Sequence, residues 1–194
     1  TLLNKEKEVI GIYISSHPLD DYELLIKSMC NAHATDLNNL SELNGKEIVI
    51  AGVVTSVENL TTKTGKPFGK FKLEDESGEQ DFALFGKDYE MFRPLLFKDY
   101  FLIIRGRVQP RPYGDQTALE YKINSMQQLS EVQDIIKDVR LTVPIEDIDD
   151  YFINSLAEVV KKSRGKALLK LTLVDNRDGV SLNLFSRKHK VSLT

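Results

Sequence analysis

Nine of the basic and aromatic side chains between positions 63 and 113 are placed to hold a single strand of nucleic acid. They are the cations Lys63, Lys66, Lys70, Lys72, Arg105, Arg107 and Arg111 and the rings Phe68 and Tyr113. Ammonium and guanidinium groups neutralise phosphates, and an aromatic ring stacks on an unpaired base whatever its identity. Lys63, Lys66 and Phe68 sit in a stretch with two glycines and a proline, TKTGKPFG at 62–69, and Arg111 and Tyr113 in QPRPYGDQ at 109–116. Both have the composition of turns. Lys70 and Lys72 alternate with Phe71 and Leu73, and Arg105 and Arg107 with Leu102, Ile104 and Val108. On strands, that period sets the cations on one face and the apolar residues on the other. The same alternation also suits a half-buried strand whose outer side is merely solvated, with Phe68 and Tyr113 packed on their own turns. Three or four phosphate contacts on a single strand give a log K against log salt slope of only about −2 to −3. One stacked base adds about 1–3 kcal/mol. Such a face alone binds weakly.

Other chemistries have less footing. His17, His33 and His189 are far apart, none lies in an HExxH run or beside Cys30, and no spacing resembles a metal site. The acidic runs Glu74-Asp75-Glu76 and Asp147-Ile148-Asp149-Asp150 occur where a turn and a helix start favour carboxylates without any cation. No GxxxxGK[ST], GxGxxG or GxSxG motif is present, so nucleotide hydrolysis, dinucleotide binding and hydrolase chemistry lack their entry points. Cys30 is the single cysteine, which leaves no intramolecular disulfide and no cysteine-rich zinc site; its expected role is a small buried hydrophobe. No cofactor is expected.

The elements that must carry the basic face follow from periodicity. Residues 47–60 (EIVIAGVVTSVENL) are β-branched and predict a long strand with Gly52 as its bulge or bend. Strands are predicted at 70–75 and 80–85, a short helix or loop crossing at 86–98 limited by Pro94, and strands at 100–108 and 118–125. Five strands with a helix between the third and fourth, in roughly 80 residues, is the order of an OB-fold barrel, which binds oligonucleotides across strands two and three and between these two turns. Residues 1–45 read as a helical lead-in, with one short helix over 4–14, a break at His17-Pro18, and a second stripe of Leu19, Tyr22, Leu25, Ile26 and Met29. Residues 130–194 read as a small β-α-β-β unit. Its helix opens on Asp147, Asp149 and Asp150 and closes on Lys161, Lys162, Arg164 and Gly165, with one strand before it at 138–143 and two or three after it, at 166–174, 180–185 and, as the third, 191–193. The fold class is therefore mainly β with α+β: a helical lead-in at 1–45, an OB-fold domain at 46–129 and a C-terminal domain at 130–194.

The 194 residues, 41% hydrophobic and 28% charged, have ordinary globular composition. A net charge of −3 excludes a general polyanion binder. Residues 46–129 carry twelve basic and twelve acidic side chains and 137–194 eleven against eight, so only local clustering can make a basic face. No apolar run approaches a bilayer span and the first residues lack a signal-peptide pattern; no membrane partner is expected and the location expected is cytoplasmic.

The run from Glu8 to Asp20 (EVIGIYISSHPLD), followed by Gly52-Val53-Val54-Thr55 and Lys63-Thr64-Gly65-Lys66-Pro67-Phe68, resembles the C-terminal region of the bacterial DNA polymerase III alpha subunit family. The resemblance runs through essentially the whole chain. The OB block by itself also resembles anticodon-binding domains of some aminoacyl-tRNA synthetases. Ser16 stands where the family usually has glycine before His-Pro, and the chain stops at 191–194, as a truncated piece would. The resemblance implies a non-catalytic piece of a DNA-directed DNA polymerase, a nucleotidyltransferase whose palm, fingers and metal-binding carboxylates lie upstream. It implies an OB domain near single-stranded template DNA, a last unit that docks the tau subunit of the clamp loader, and a sliding-clamp contact in the region before the lead-in. His17-Pro18 would be a structural corner. An RNA-binding barrel, or a protein-interaction spacer that touches no nucleic acid, are the alternatives.

Overall fold

The computed structural model describes residues 19–112 and 117–192. The helix expected at 4–14 and most of the His-Pro run lie outside the described residues, as does Tyr113. The chain divides into two compact units, one ending at Val132 and the other beginning at Gln133.

In the first unit, a 3-10 turn at Asp20–Tyr22 leads into α1 (Glu23–Met29), a helix of two turns that ends where Cys30 becomes extended. The stretch that follows, residues 30–45, forms no further α-helix. It holds a second 3-10 turn, Ala34–Asn38, boxed by His33 and Asp36, and then further turns. Its composition is polar and rich in Asn and Asp, whose side chains compete with a helix for backbone hydrogen bonds.

Five antiparallel strands follow: β1 (Glu47–Thr61), β2 (Pro67–Asp75), β3 (Gly78–Phe85), β4 (Phe101–Pro110) and β5 (Leu119–Gln128), in the sheet order β3-β2-β1-β4-β5. Between β3 and β4 lie α2 (Gly86–Phe92) and a 3-10 turn at Arg93–Leu95. β1 is long enough to pair with β4 through its first half and with β2 through its second. Ile48, Ile50, Val54, Phe71, Leu73, Leu102, Ile104, Val108, Ile123 and Met126 form the inner core, with Tyr89, Phe92 and Leu96 closing one end. The sheet curls so that the Phe82 ring of β3 comes within 6.3 Å of the Tyr121 ring of β5. The expected bulge is displaced. It lies at Thr55, which the register skips between Val54↔Leu73 and Ser56↔Lys72. Gly52 instead marks a close approach: a Cβ there would stand 2.5 Å from the Glu74 carbonyl oxygen and 2.7 Å from the Leu73 side chain. The extra residue exchanges the faces of β1, so even positions point inward before it and Val57 does so after it.

The outer side of the first half of β1 is also covered. Val49, Ala51, Val53 and Ile103 face away from the inner core yet are buried, as are Leu19 and Leu25 of the lead-in, and the Tyr22 ring lies 5.5 Å from that of Phe101. Where β1 has no strand on its free edge, Asn31 substitutes for one. Its amide donates to the Val49 carbonyl at 3.1 Å, its side-chain oxygen accepts from the Val49 amide at 2.8 Å, and its side-chain nitrogen donates to the Glu47 carbonyl at 2.9 Å. The unit ends within α3 (Leu129–Ile135), whose Leu129 and Val132 are buried.

The second unit contains β6 (Asp138–Pro144), α4 (Asp150–Lys162), β7 (Arg164–Asp175) and β8 (Val180–Val191), with β6 parallel and β8 antiparallel to β7. Asp149 caps α4 by accepting from the Phe152 amide at 2.7 Å, which accounts for part of the acidic run at 147–150. Leu156 and Val160 of α4 pack on Val139, Ala167, Leu169 and Val191. Of the two or three strands expected after the helix, the described residues form two, because β8 runs on to Val191 through a register slip that faces Leu168 with Lys190 and Lys170 with Phe185.

Candidate nucleic-acid interface

The register of β1, β2 and β3 orders the outer face of the barrel into cross-strand rows. The first row is Leu60, Phe68 and Phe85; the second Glu58, Lys70 and Ala83; the third Ser56, Lys72 and Asp81; the last pairs Glu74 with Glu79. Phe71 and Leu73, which alternate with the lysines, are buried in the core. Phe68 and Phe85 stack with ring centroids 5.0 Å apart and planes 13° from parallel, and Phe85 remains 55% exposed. Leu60 beside them is also exposed. Next to this apolar row, the 62–66 turn presents Lys63 and Lys66, both exposed. The turn is braced: the Thr62 amide donates to the Lys66 carbonyl at 2.8 Å, the Lys66 amide to the Thr62 hydroxyl at 3.0 Å, and Gly65 takes φ +80°, which only glycine adopts without strain.

Charge on this face changes sign along β2. Lys63, Lys66 and Lys70 make no ion pair among the described residues, whereas Lys72 donates to Glu79 at 3.3 Å and lies 4.0 Å from Asp81. The hydrogen bond to Glu79, with Asp81 beside it, raises the Lys72 pKa and keeps the ammonium charged. Beyond Lys72 the surface is acidic, with Glu74, Glu76 and Glu79. Asp75 in this run is buried and structural: it accepts from the Ala34 amide at 2.7 Å and from the Ser77 amide at 2.8 Å. No group of three or more His, Cys, Asp or Glu side chains among the described residues could hold a metal ion.

Arg105 and Arg107 also point outward, but away from the lysines. They pair in register with Val49 and Glu47, whereas Lys72 and Lys70 pair with Ser56 and Glu58. At about 3.3 Å per residue, roughly 20 Å of β1 separates the two groups. Neither arginine has an ion pair among the described residues. Arg111 is exposed where β4 enters the second turn, its amide donating to the Ala118 carbonyl at 2.9 Å. The sequence-derived residues therefore form a lysine-aromatic group on β1–β3 and an arginine group on β4. Phe85, Leu60 and the acids facing Lys72 were not among them. Their signal was weak: Phe85 follows Leu84 and breaks the alternation, and only the cross-strand register places it beside Phe68.

A five-stranded curled sheet with a helix after its third strand, carrying a half-exposed ring pair beside a lysine turn, defines an OB-fold module. Residues 48–129 match the family model for the OB-fold nucleic acid binding domain, and residues 139–194 match that for the DNA polymerase III alpha subunit, C-terminal domain. Together with curated relatives that match most of the chain, these two matches support a C-terminal OB region of a DNA polymerase III alpha subunit. Among its curated relatives, the DNA polymerase III subunit alpha of Saccharopolyspora erythraea is 32% identical over 111 residues, covering 57% of this chain and 9% of that one. That of Pasteurella multocida is 27% identical over 169 residues, covering 86% of this chain and 14% of that one. The chain thus spans a small fraction of the length of the relatives it matches. Among solved structures, an OBody, AM3L09, bound to hen egg-white lysozyme, superposes with a TM-score of 0.38 at 17% identity, covering 52% of this chain and 94% of that one.

Proposed function

We propose that this chain is a non-catalytic part of a replicative DNA polymerase whose OB unit binds single-stranded template DNA and whose last unit docks the tau subunit of the clamp loader. The Phe68–Phe85 stack, with Phe85 exposed, beside the braced Lys63 and Lys66 turn carries the first half of this reading. Two parallel rings offer a flat apolar step for an unpaired base, and three unpaired lysines lie within a few residues to take phosphates. Arg105 and Arg107 on β4 and Arg111 just after it supply a second basic group, and Tyr113 follows Arg111 by two positions in the sequence. The second half is supported by Val180, Leu182 and Leu184, three exposed apolar residues on β8 that share a sheet face with Leu171 and Leu173. Nucleotidyl transfer belongs to the upstream part of the polymerase, as does contact with the sliding clamp, and the location is the bacterial cytoplasm.

Titration of labelled oligo-dT with the chain at about 50 mM salt, where phosphate contacts are least screened, tests the DNA reading. Saturable binding is expected, and its absence assigns the barrel to the spacer role. Lys63→Ala with Lys66→Ala should weaken binding and flatten the log K against log salt slope by about 1.4, the share of two phosphates on a single strand. Arg105→Ala with Arg107→Ala should flatten it comparably if the arginine group lies on the same path. An RNA strand of equal length binding much more tightly than DNA would favour the anticodon-type reading, in which the 2′-hydroxyl is recognised.

A further inference from the structure

The outer face of β2 and β3 does not stay basic to its end, and the point of reversal is defined by ion pairs. Lys70 faces Glu58 and Ala83 across the sheet and makes no ion pair among the described residues. Two residues along the strand, Lys72 is engaged by Glu79 at 3.3 Å and flanked by Asp81 at 4.0 Å, while Glu79 also accepts from the Thr55 hydroxyl at 3.1 Å through its other oxygen. One lysine thus lies between two carboxylates, and the next row outward pairs Glu74 with Glu79. A phosphate approaching Lys72 would have to displace one carboxylate and remain close to the other. Like charges at that separation repel, and within a Debye length of about 10 Å they are poorly screened.

We infer that Glu79 and Asp81 are negative specificity determinants: they withdraw Lys72 from nucleic acid and end the path of the strand at Lys70. The inference rests on the single-strand reading of the same face. It limits the β2–β3 contact to the Phe68–Phe85 step, Lys63, Lys66 and Lys70. It also explains how a barrel with as many acids as bases can bind a polyanion at one end of a face without holding it across the whole. Glu79 serves two partners at once, so its position is fixed by the bulge at Thr55 as well as by Lys72. The device sets a low affinity by subtraction, where adding or removing a lysine elsewhere would change affinity by degrees.

The test is a cycle on the full 194-residue chain, read by anisotropy of labelled oligo-dT across a salt series. Glu79→Gln with Asp81→Asn keeps shape and removes both charges. It should tighten binding about 3- to 10-fold at about 50 mM salt and steepen the salt slope by about 0.7, one additional phosphate. Lys72→Ala alone should leave binding unchanged, and Lys72→Ala added to the double substitution should abolish the gain. Neutralising two exposed acids on α3, Glu131→Gln with Asp134→Asn, should give no comparable gain, which separates a local effect from net charge. An unchanged slope in the double variant, or a loss on Lys72→Ala in the parent equal to that of Lys70→Ala, overturns the inference while parent binding upholds the single-strand reading. If parent and double variant both fail to bind, both readings fall. Binding by the double variant alone shows that the acids close the face completely.

Discussion

At the residue scale, the ring pair, with Phe85 exposed and Phe68 half-buried beneath it, is the most direct of the candidate contacts to test. Phe85→Ala removes the exposed half of the stack without opening the core, since Leu84 and Phe82 are the inward residues of β3. It should weaken oligo-dT binding by the worth of one stacked base, about 1–3 kcal/mol, with little change in salt slope or in thermal unfolding. Lysine variants should change the slope instead, so the two kinds of contact can be told apart in one assay. Cys30 makes a different point. It is only half-buried, yet burial pushes its thiol up to about 11, partly offset by Arg105 nearby. A thiol whose folded pKa is raised contributes stability in full below its ordinary pKa and loses it as pH climbs toward about 11. The melting-temperature advantage of the parent over Cys30→Ala should therefore be greatest near neutral pH and shrink between about pH 9 and 11. Alkylation of the native thiol at pH 8 should be slow, because the thiolate is the nucleophile.

At the element scale, Tyr121 joins three strands. Its hydroxyl lies 3.0 Å from the Ile48 carbonyl and 3.3 Å from the Ile104 carbonyl, and its ring occupies the space where a Cβ on Gly106 would come within 2.6 Å. Tyr121→Phe should lower stability by about 1 kcal/mol, the net worth of one hydrogen bond, as measured by urea unfolding. The strands and their order were legible in the sequence because period-two alternation and turn residues mark each of them. β1 was read as a single strand with a bend at its glycine, but the bulge is at Thr55, an ordinary strand former with no distinguishing composition. Its consequence, the change of inward face between Val54 and Val57, depends on how β2 pairs with β1 and not on β1 alone. The same holds for the candidate site. Lys70 and Lys72 are identical in type and share a face, and only the strand opposite shows that Lys72 is held by acids. The lead-in was read as helical from a stripe that produces one helix of seven residues; the polar stretch after it is ordered by its contacts with β1.

At the scale of the whole molecule, the two units have separate cores, and the second leaves much of its sheet uncovered. Leu156 and Val160 of α4 cover Ala167 and Leu169, while Val180, Leu182 and Leu184 stay more than 40% exposed. Leu182→Glu with Leu184→Glu should leave the fold intact by circular dichroism, because exposed substitutions typically change stability by less than about 0.5 kcal/mol. It should nevertheless reduce retention of the chain by a clamp-loader tau subunit in a pull-down. No helix among the described residues is long and apolar enough to cross a membrane. The contacts made by Asn31 carry a practical corollary for anyone excising the barrel. A fragment started at Lys46 would retain all five strands but would shed Leu19, Leu25 and Asn31 together. It would bare a row of amides and carbonyls on one margin of β1 and a greasy patch of Val49, Ala51 and Ile103 behind it. Such an open margin recruits other chains, so the shortened piece should clump where the longer one stays dispersed.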